Sequence, residues 1–282
     1  MYNLLTLKNN AKYKHSSKSE VKQLALRYQE YGDKSAPLML FLHGGGVSDW
    51  MWDQQTQYFT NYHCLVPILP EHGLNHDGTP FSIKGSAEEL IPLIEEKAKG
   101  KKVILIGFSL GSQVIIQLLS MKPDLIDFAM INSASVRPIS FAKNMIKPTI
   151  QLTFPLIKKR WFSKLQAKTL YVGEEYFEKY YEESCQIKPE TLVRVLEENM
   201  SFSIPKDFCK ANGKILVTVG EKEKAMMKNS AKDIVEMNSN CIGVMVPKMG
   251  HGVSLAMPDF FNQMVEAWIQ KGQLPKECKV IS

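Results

Sequence analysis

The sequence contains no CxxC unit, and its five cysteines, Cys64, Cys185, Cys209, Cys241 and Cys278, are widely spaced and odd in number. That excludes a disulfide framework using every thiol, removes the usual zinc spacing and fits a reducing compartment. No apolar run approaches the roughly eighteen residues that would cross a bilayer. The stretch MYNLLTLKNNAKYKHSSKSE has too short an apolar run for a signal peptide. The expectation is therefore a cytoplasmic protein without a membrane span. HExxH, Cys/His pairs and EF-hand spacing are all missing, so no metal is expected. GxGxxG and P-loop motifs are missing too, so no nucleotide or other cofactor is implied. Internal repeats and low-complexity segments are likewise lacking.

What remains is an ordinary globular composition of 282 residues, 44% hydrophobic and 23% charged, with a formal charge of +6. Such a length can bury a substantial core. The positive balance invites a nucleic-acid partner, but the lysines are spread along the chain without a recognised binding motif, so none is expected. The cluster KKRW (158–161) reads as a solvated helix face.

After a polar lead-in over 1–20, LALRYQEYG (24–32) alternates in character like an edge strand, and PLMLFLHG (37–44) is apolar throughout like a central one. HCLVPILP (63–70) reads as another buried strand. FSIKGSAEELIPLIEEKAKG (81–100) has helical period, with Ser82 as a cap and Pro92 expected to kink it or delay its start. KKVILIG, a helix from SLGSQVIIQLLSMKP and the strand DLIDFAMINSA follow. Residues 137–212 break this rhythm and read as several short helices inserted between strands. GKILVTVG, a helix near NSAKDIVEMN, CIGVMVP and a last helix from Pro258 to about Lys271 then restore it. Strands alternating with helices predict an α/β fold: a mostly parallel central sheet with helices on both faces, formed by 21–136 and 213–282.

Three glycine-rich stretches fall at the carboxyl ends of predicted parallel strands, where open α/β sheets build their sites. GFSLG, centred on Ser109, lies between a strand and a helix. A sharp turn there lifts a serine Oγ above the sheet and aims the next amide, Leu110 N–H, at an incoming oxygen. Gly107 relieves crowding at the turn, Gly111 lets the helix leave close to its neighbours, and Ser112 fits by being small. LHGGG (42–46) lets the backbone approach closely enough for Gly45 N–H to supply a second donor. MGHG (249–252) places His251 in a late loop before the last helix. Serine needs a general base at neutral pH, and imidazole has a suitable intrinsic pKa. His15, His43, His63, His72 and His76 each lie in a less suitable place.

These residues resemble the α/β-hydrolase fold family from about Leu24 to Ile269, through the strand order, the HG turn, the GxSxG elbow and the late GH before a helix. The resemblance implies that the 137–212 insertion is a helical cap. It also implies a serine hydrolase whose triad runs in the order Ser, acid, His. The family's acid usually follows the strand before the last parallel one, often as Asp three residues after a glycine. Here TVG continues Glu221-Lys222-Glu223-Lys224, so Glu223 takes that place and Glu221 is the rival. The alternative placement, Asn132-Ser133-Ala134-Ser135, offers no carboxylate. The expected reaction is hydrolysis of a carboxylic ester through an acyl-enzyme. Cleavage of C–C, amide or thioester bonds, or mere binding of a small molecule, are the alternatives.

Phe108, Met226 and Met249 are candidate pocket residues for a small-molecule substrate with an apolar group. Phe141, Met145, Phe154, Trp161, Phe162, Tyr171, Tyr176 and Phe177 add aromatic and apolar surface to the insertion.

Overall fold

A computed structural model describes residues 26–74, 79–139 and 142–281. The lead-in 1–20, the start of the first expected strand, His76 and Phe141 lie outside the described residues. Eight strands form one sheet: β1 (Arg27–Tyr31), β2 (Leu38–Leu42), β3 (His63–Ile68), β4 (Val103–Phe108), β5 (Phe128–Asn132), β6 (Lys214–Gly220), β7 (Cys241–Val246) and β8 (Lys279–Ile281). Their order across the sheet is β1-β3-β2-β4-β5-β6-β7-β8. The six strands β2 to β7 are parallel to one another, and the outer pairs β1–β3 and β7–β8 are antiparallel.

The central strands read as unbroken apolar runs because both faces of the sheet are covered. Side chains alternate across a strand, so Leu38, Leu40 and Leu42 enter one core while Met39 and Phe41 enter the other. The first core is closed by α2 (Ile83–Ala98), α3 (Leu110–Met121) and α8 (Ala225–Met237). The second is closed by α10 (Pro258–Lys271), by α9 (Val253–Ala256) before it, and by the buried Trp50 and Trp52. Those tryptophans belong to a 3-10 turn (Asp49–Trp52) leading into α1 (Asp53–Tyr58), a segment whose helical nature the sequence pattern did not announce. β8 was also unforeseen: three residues are too short to show a period, and pairing with the open edge of β7 creates it.

Helix α2 begins where Ser82 predicts, with Ser82 Oγ accepting from Gly85 N at 3.0 Å, and it runs through Pro92 without a delayed start. Burial of Ile83, Ala87, Leu90 and Ile94 against the sheet outweighs the one hydrogen bond that proline removes. No helix among the described residues is long and apolar enough to cross a membrane.

Between β5 and β6 come α4 (Ala142–Ile157), α5 (Arg160–Thr169), α6 (Glu174–Gln186) and α7 (Pro189–Ser201), then a 3-10 turn (Lys206–Lys210). Carboxylates at several points tie these helices to the sheet layer. Glu71 accepts from Thr191 Oγ1 at 3.0 Å and Arg194 Nε at 2.9 Å, and Glu198 accepts from Ile83 N at 2.8 Å. Glu183, buried on α6, accepts from Ser48 Oγ at 2.7 Å and Trp50 Nε1 at 3.0 Å.

Burial raises the Glu183 carboxyl above its ordinary value, and the Trp50 and Ser48 bonds offset this only in part. An acid raised in the folded state favours folding most when protonated, so stability falls as pH rises from the unfolded carboxyl range of about 4.3 toward the raised value. Glu183→Gln can accept from Trp50 and donate to Ser48, whose own hydroxyl proton then goes to Asp49 Oδ1, 3.0 Å away. Urea unfolding of the two proteins should therefore show Glu183→Gln gaining on wild type as pH rises from 4 to 7. Glu183→Ala strands the Trp50 donor and should lose roughly 2 kcal/mol.

Candidate active site

The carboxyl edge of the sheet is stitched by backbone bonds between successive loops. Ser109 N donates to Asn132 O (2.8 Å), Ser133 N to Thr218 O (2.8 Å), Glu221 N to Val246 O (2.9 Å) and Lys222 N to Met249 O (2.7 Å). These bonds bring the ends of β4, β5, β6 and β7 together although their residues are far apart in sequence. Ser109 sits between β4 and α3 with φ 52° and ψ −109°, a conformation that costs a non-glycine residue on the order of 1–3 kcal/mol. The strain is held from both sides. Ser112 Oγ donates to Asn132 O at 3.0 Å and accepts from Asn132 N at 2.9 Å, so this residue does more than fit by size. A Cβ on Gly111 would stand 2.3 Å from Leu42 O, which is why α3 can start so close to the glycine turn.

His251 Nδ1 lies 2.8 Å from Glu223 Oε2. A carboxylate only accepts, so Nδ1 carries the proton and Nε2 is left as the basic nitrogen. The other oxygen, Glu223 Oε1, accepts from Ser133 Oγ at 2.7 Å and Gly220 N at 2.9 Å. Burial pushes the Glu223 carboxyl up, but the hydrogen bond and charge of His251, helped by Gly220 and Ser133, carry it below its ordinary value. Glu221 is engaged elsewhere, accepting from Lys279 Nζ at 2.8 Å and Lys248 N at 2.9 Å on the surface. The loop after β5 has no carboxylate, yet its Ser133 holds the one that follows β6. The imidazole of His251 rests on the Phe108 ring, centroids 4.8 Å apart, which brings it beside the residue that precedes Ser109.

Gly45 and Leu110 are neighbours: a Cβ on Gly45 would lie 3.6 Å from Leu110 Cδ2. Neither amide has an acceptor among the described residues. The turn bearing Gly45 is fixed by His43, whose Nδ1 donates to Gly44 O (2.8 Å) while Nε2 accepts from Leu69 N (3.0 Å). Burial, with His72 nearby, lowers the His43 pKa to about 3, so it stays neutral and keeps this tautomer. Gly44 O and Gly45 N belong to one trans peptide and point in opposite directions, so clamping the carbonyl also aims the amide.

The sequence matches the alpha/beta hydrolase family over residues 39–264. The chain belongs to the alpha/beta hydrolase family. An esterase of Mycobacterium tuberculosis is 37% identical over 95 residues, 33% of this chain and 31% of that protein. Epoxide hydrolase 1 of Caenorhabditis elegans is 27% identical over 148 residues, 51% of this chain and 35% of that protein. The chain spans at most two fifths of the length of the curated relatives it matches. Among solved structures, a thermophilic esterase from Thermogutta terrifontis superposes with a TM-score of 0.71 at 18% identity, covering 87% of this chain and 93% of that one.

In this alpha/beta hydrolase the pocket above Ser109 has a volume of about 400 Å³. Its described walls come from the glycine turn and from α5, α6 and α7: Gly45, Gln166, Leu170, Tyr180, Val195 and Asn199 are among them. Phe108, Met226 and Met249, expected in the pocket, are not. Phe108 and Met249 are buried in the core under the site, and Met226 is half-buried on the first turn of α8. Phe108 and Met249 thus lie beneath the loops that carry Ser109 and His251 rather than in front of them. Of the insertion's aromatics, Tyr180 lines the pocket, whereas three that the sequence offered, Tyr176, Phe177 and Trp161, do not. Tyr176 stacks on Trp50 with centroids 5.4 Å apart, Phe177 is buried, and Trp161 faces outward. A smaller cavity of about 110 Å³ shares Gly46, Gln166, Tyr180 and Leu192 with the pocket and adds His72 and Glu183 at its far side.

Proposed function

We propose that this alpha/beta hydrolase is a serine hydrolase that cleaves carboxylic esters through an acyl-enzyme, with α4 to α7 as a cap over the site. The observation that carries the reading is a serine held at φ 52°, with the Leu110 amide next to it and the neighbouring Gly45 amide both without an acceptor among the described residues, and a histidine already oriented by a buried carboxylate. Ser109 Oγ attacks the ester carbonyl while His251 Nε2 takes its proton. The carbonyl oxygen becomes an oxyanion between Gly45 N–H and Leu110 N–H, and each such donor contributes about a hundredfold or more to the rate. His251 returns the proton to the departing alkoxide. Water then repeats the sequence on the acyl-Ser109 ester and releases the acid. Glu223 keeps the imidazole in the productive tautomer and stabilises the imidazolium.

An apolar acyl or alcohol group suits Leu170, Val195 and Leu196 in the pocket wall. A serine nucleophile favours a carbonyl over an epoxide, because opening an epoxide would leave Ser109 as an ether that water does not hydrolyse, whereas an acyl ester is released by water. A panel of p-nitrophenyl esters of increasing chain length, run beside amide, thioester and epoxide substrates, tests this. Esters should lead amides by at least about a hundredfold in kcat/KM, since an alkoxide-type leaving group needs less help than an amine. Turnover of epoxides alone would overturn the reading, as would the absence of both turnover and fluorophosphonate labelling.

A further inference from the structure

Residues 142–169, which form α4 and α5, contain seven lysines and arginines and no aspartate or glutamate. The whole chain carries only +6, so this one segment accounts for its entire positive excess. The same two helices also hold four of the five most exposed large hydrophobic side chains among the described residues: Leu152 at 81%, Trp161 at 62%, Met145 at 59% and Leu165 at 58%. Trp161 and Leu165 are four apart, hence on one face of α5, with Lys164 and Lys168 exposed beside them. Lys158 and Lys159 are exposed at the junction with α4. Of Lys147, Lys158, Lys159, Arg160, Lys164 and Lys168, only Arg160 is ion-paired among the described residues, to Glu178.

Exposed apolar surface interleaved with unpaired positive charge discriminates between occupants. Residues 1–25 bear five lysines and one glutamate, so as an occupant of this face they would set like charge against like. A second copy meeting it about a two-fold axis would set like charge against like. A nucleic acid would use the lysines but leave Leu152, Met145 and Leu165 in water. An anionic bilayer uses both: the lysines meet lipid phosphates, and Trp161 and the aliphatic side chains sink to the boundary between headgroups and acyl chains.

The opposite side of α5 gives the position a consequence. Gln166 and Leu170, themselves four apart, line the pocket above Ser109, and Thr169, next along the exposed face from Leu165, lies at its edge. We infer that the α4–α5 face docks on an anionic lipid surface and sets the mouth of the Ser109 pocket at the headgroup level, so that the ester it receives is held in or at the bilayer. The docking stands on charge and exposure alone; only the ester rests on the hydrolase reading.

Co-sedimentation of the full chain with vesicles tests it, comparing phosphatidylcholine alone with phosphatidylcholine holding roughly 30% phosphatidylglycerol, at about 0.1 M and 1 M salt. Binding should require the anionic lipid and weaken with salt. Lys158→Gln/Lys159→Gln/Lys164→Gln should lower the partition coefficient about a hundredfold, at roughly fivefold per lysine. Trp161→Ala/Leu165→Ala should lower it at least about tenfold by removing inserted surface. These exposed changes should leave thermal unfolding, and kcat/KM on a short soluble ester, unaltered. No vesicle binding, equal binding to neutral vesicles, or binding only to duplex DNA would overturn the docking. Vesicle binding by a protein inert toward every ester would keep the docking and sink the hydrolase reading, so the two failures are distinguishable.

Discussion

Ser109→Ala should reduce kcat on a short p-nitrophenyl ester by about 10⁵- to 10⁶-fold and abolish fluorophosphonate labelling, while leaving the protein folded. The size follows from removing the nucleophile from a group of residues that act as a unit, where each loss costs nearly as much as all. A residual acceleration of about 10³ over water should persist, since Gly45 and Leu110 still offer their amides to the oxyanion formed when water itself attacks the ester carbonyl. Stability separates this effect from damage to the turn. Alanine keeps a Cβ at φ 52°, so Ser109→Ala retains the strain and should unfold in urea close to wild type. Ser109→Gly removes the Cβ and should be more stable by about 1 kcal/mol, though equally inactive. Strain of this kind persists at functional sites because the surroundings over-determine it, here through the Ser112 and Gly111 contacts. Activity of Ser109→Ala within tenfold of wild type would show that the hydroxyl is not the nucleophile.

Much of this site was legible in the sequence because its parts depend on local backbone rules. A serine between glycines at a strand end, a triple-glycine turn and a histidine between glycines are signals carried by the chain itself, and strand order places them on one edge. The core strands were legible for the same reason, as apolar runs of the right length. What was hidden depends on distant contacts. Nothing in Asn132-Ser133-Ala134 marks Ser133 as the second donor to Glu223, because that role exists only once β5 and β6 lie side by side. The pocket walls were misassigned for a related reason. Phe108 and Met249, next to Ser109 and His251 in sequence, are buried in the core, and beside the glycine turn the walls come from α5 to α7, which are remote in sequence. The lysines are indeed widespread, and a view of the whole chain hides that α4 and α5 hold seven lysines and arginines with no aspartate or glutamate.

Glu223→Gln should cost about 10⁴-fold in kcat, and Glu221→Gln less than about twofold. The argument for the first rests on which way the new amide must turn. Gly220 N–H is a fixed backbone donor 2.9 Å from Oε1, and Ser133 Oγ donates to the same atom, so the amide oxygen belongs there. The NH₂ group is then left facing His251. It can only donate, so His251 must present a lone pair at Nδ1 and carry its proton at Nε2, where it can no longer accept one from Ser109. The geometry survives and the tautomer does not. Glu221→Gln merely weakens an exposed pair with Lys279, whose contribution solvent screens. Stability against pH gives a second readout. A carboxyl held below its ordinary value contributes stability that is present above the unfolded pKa, near 4.3, and is lost as pH falls through the lower folded value. The stability difference between wild type and Glu223→Gln should accordingly be constant near neutrality and shrink in acid below about pH 4. If instead Glu221→Gln shows the larger loss of kcat, the acid is misassigned and the His251–Glu223 bond is a structural contact.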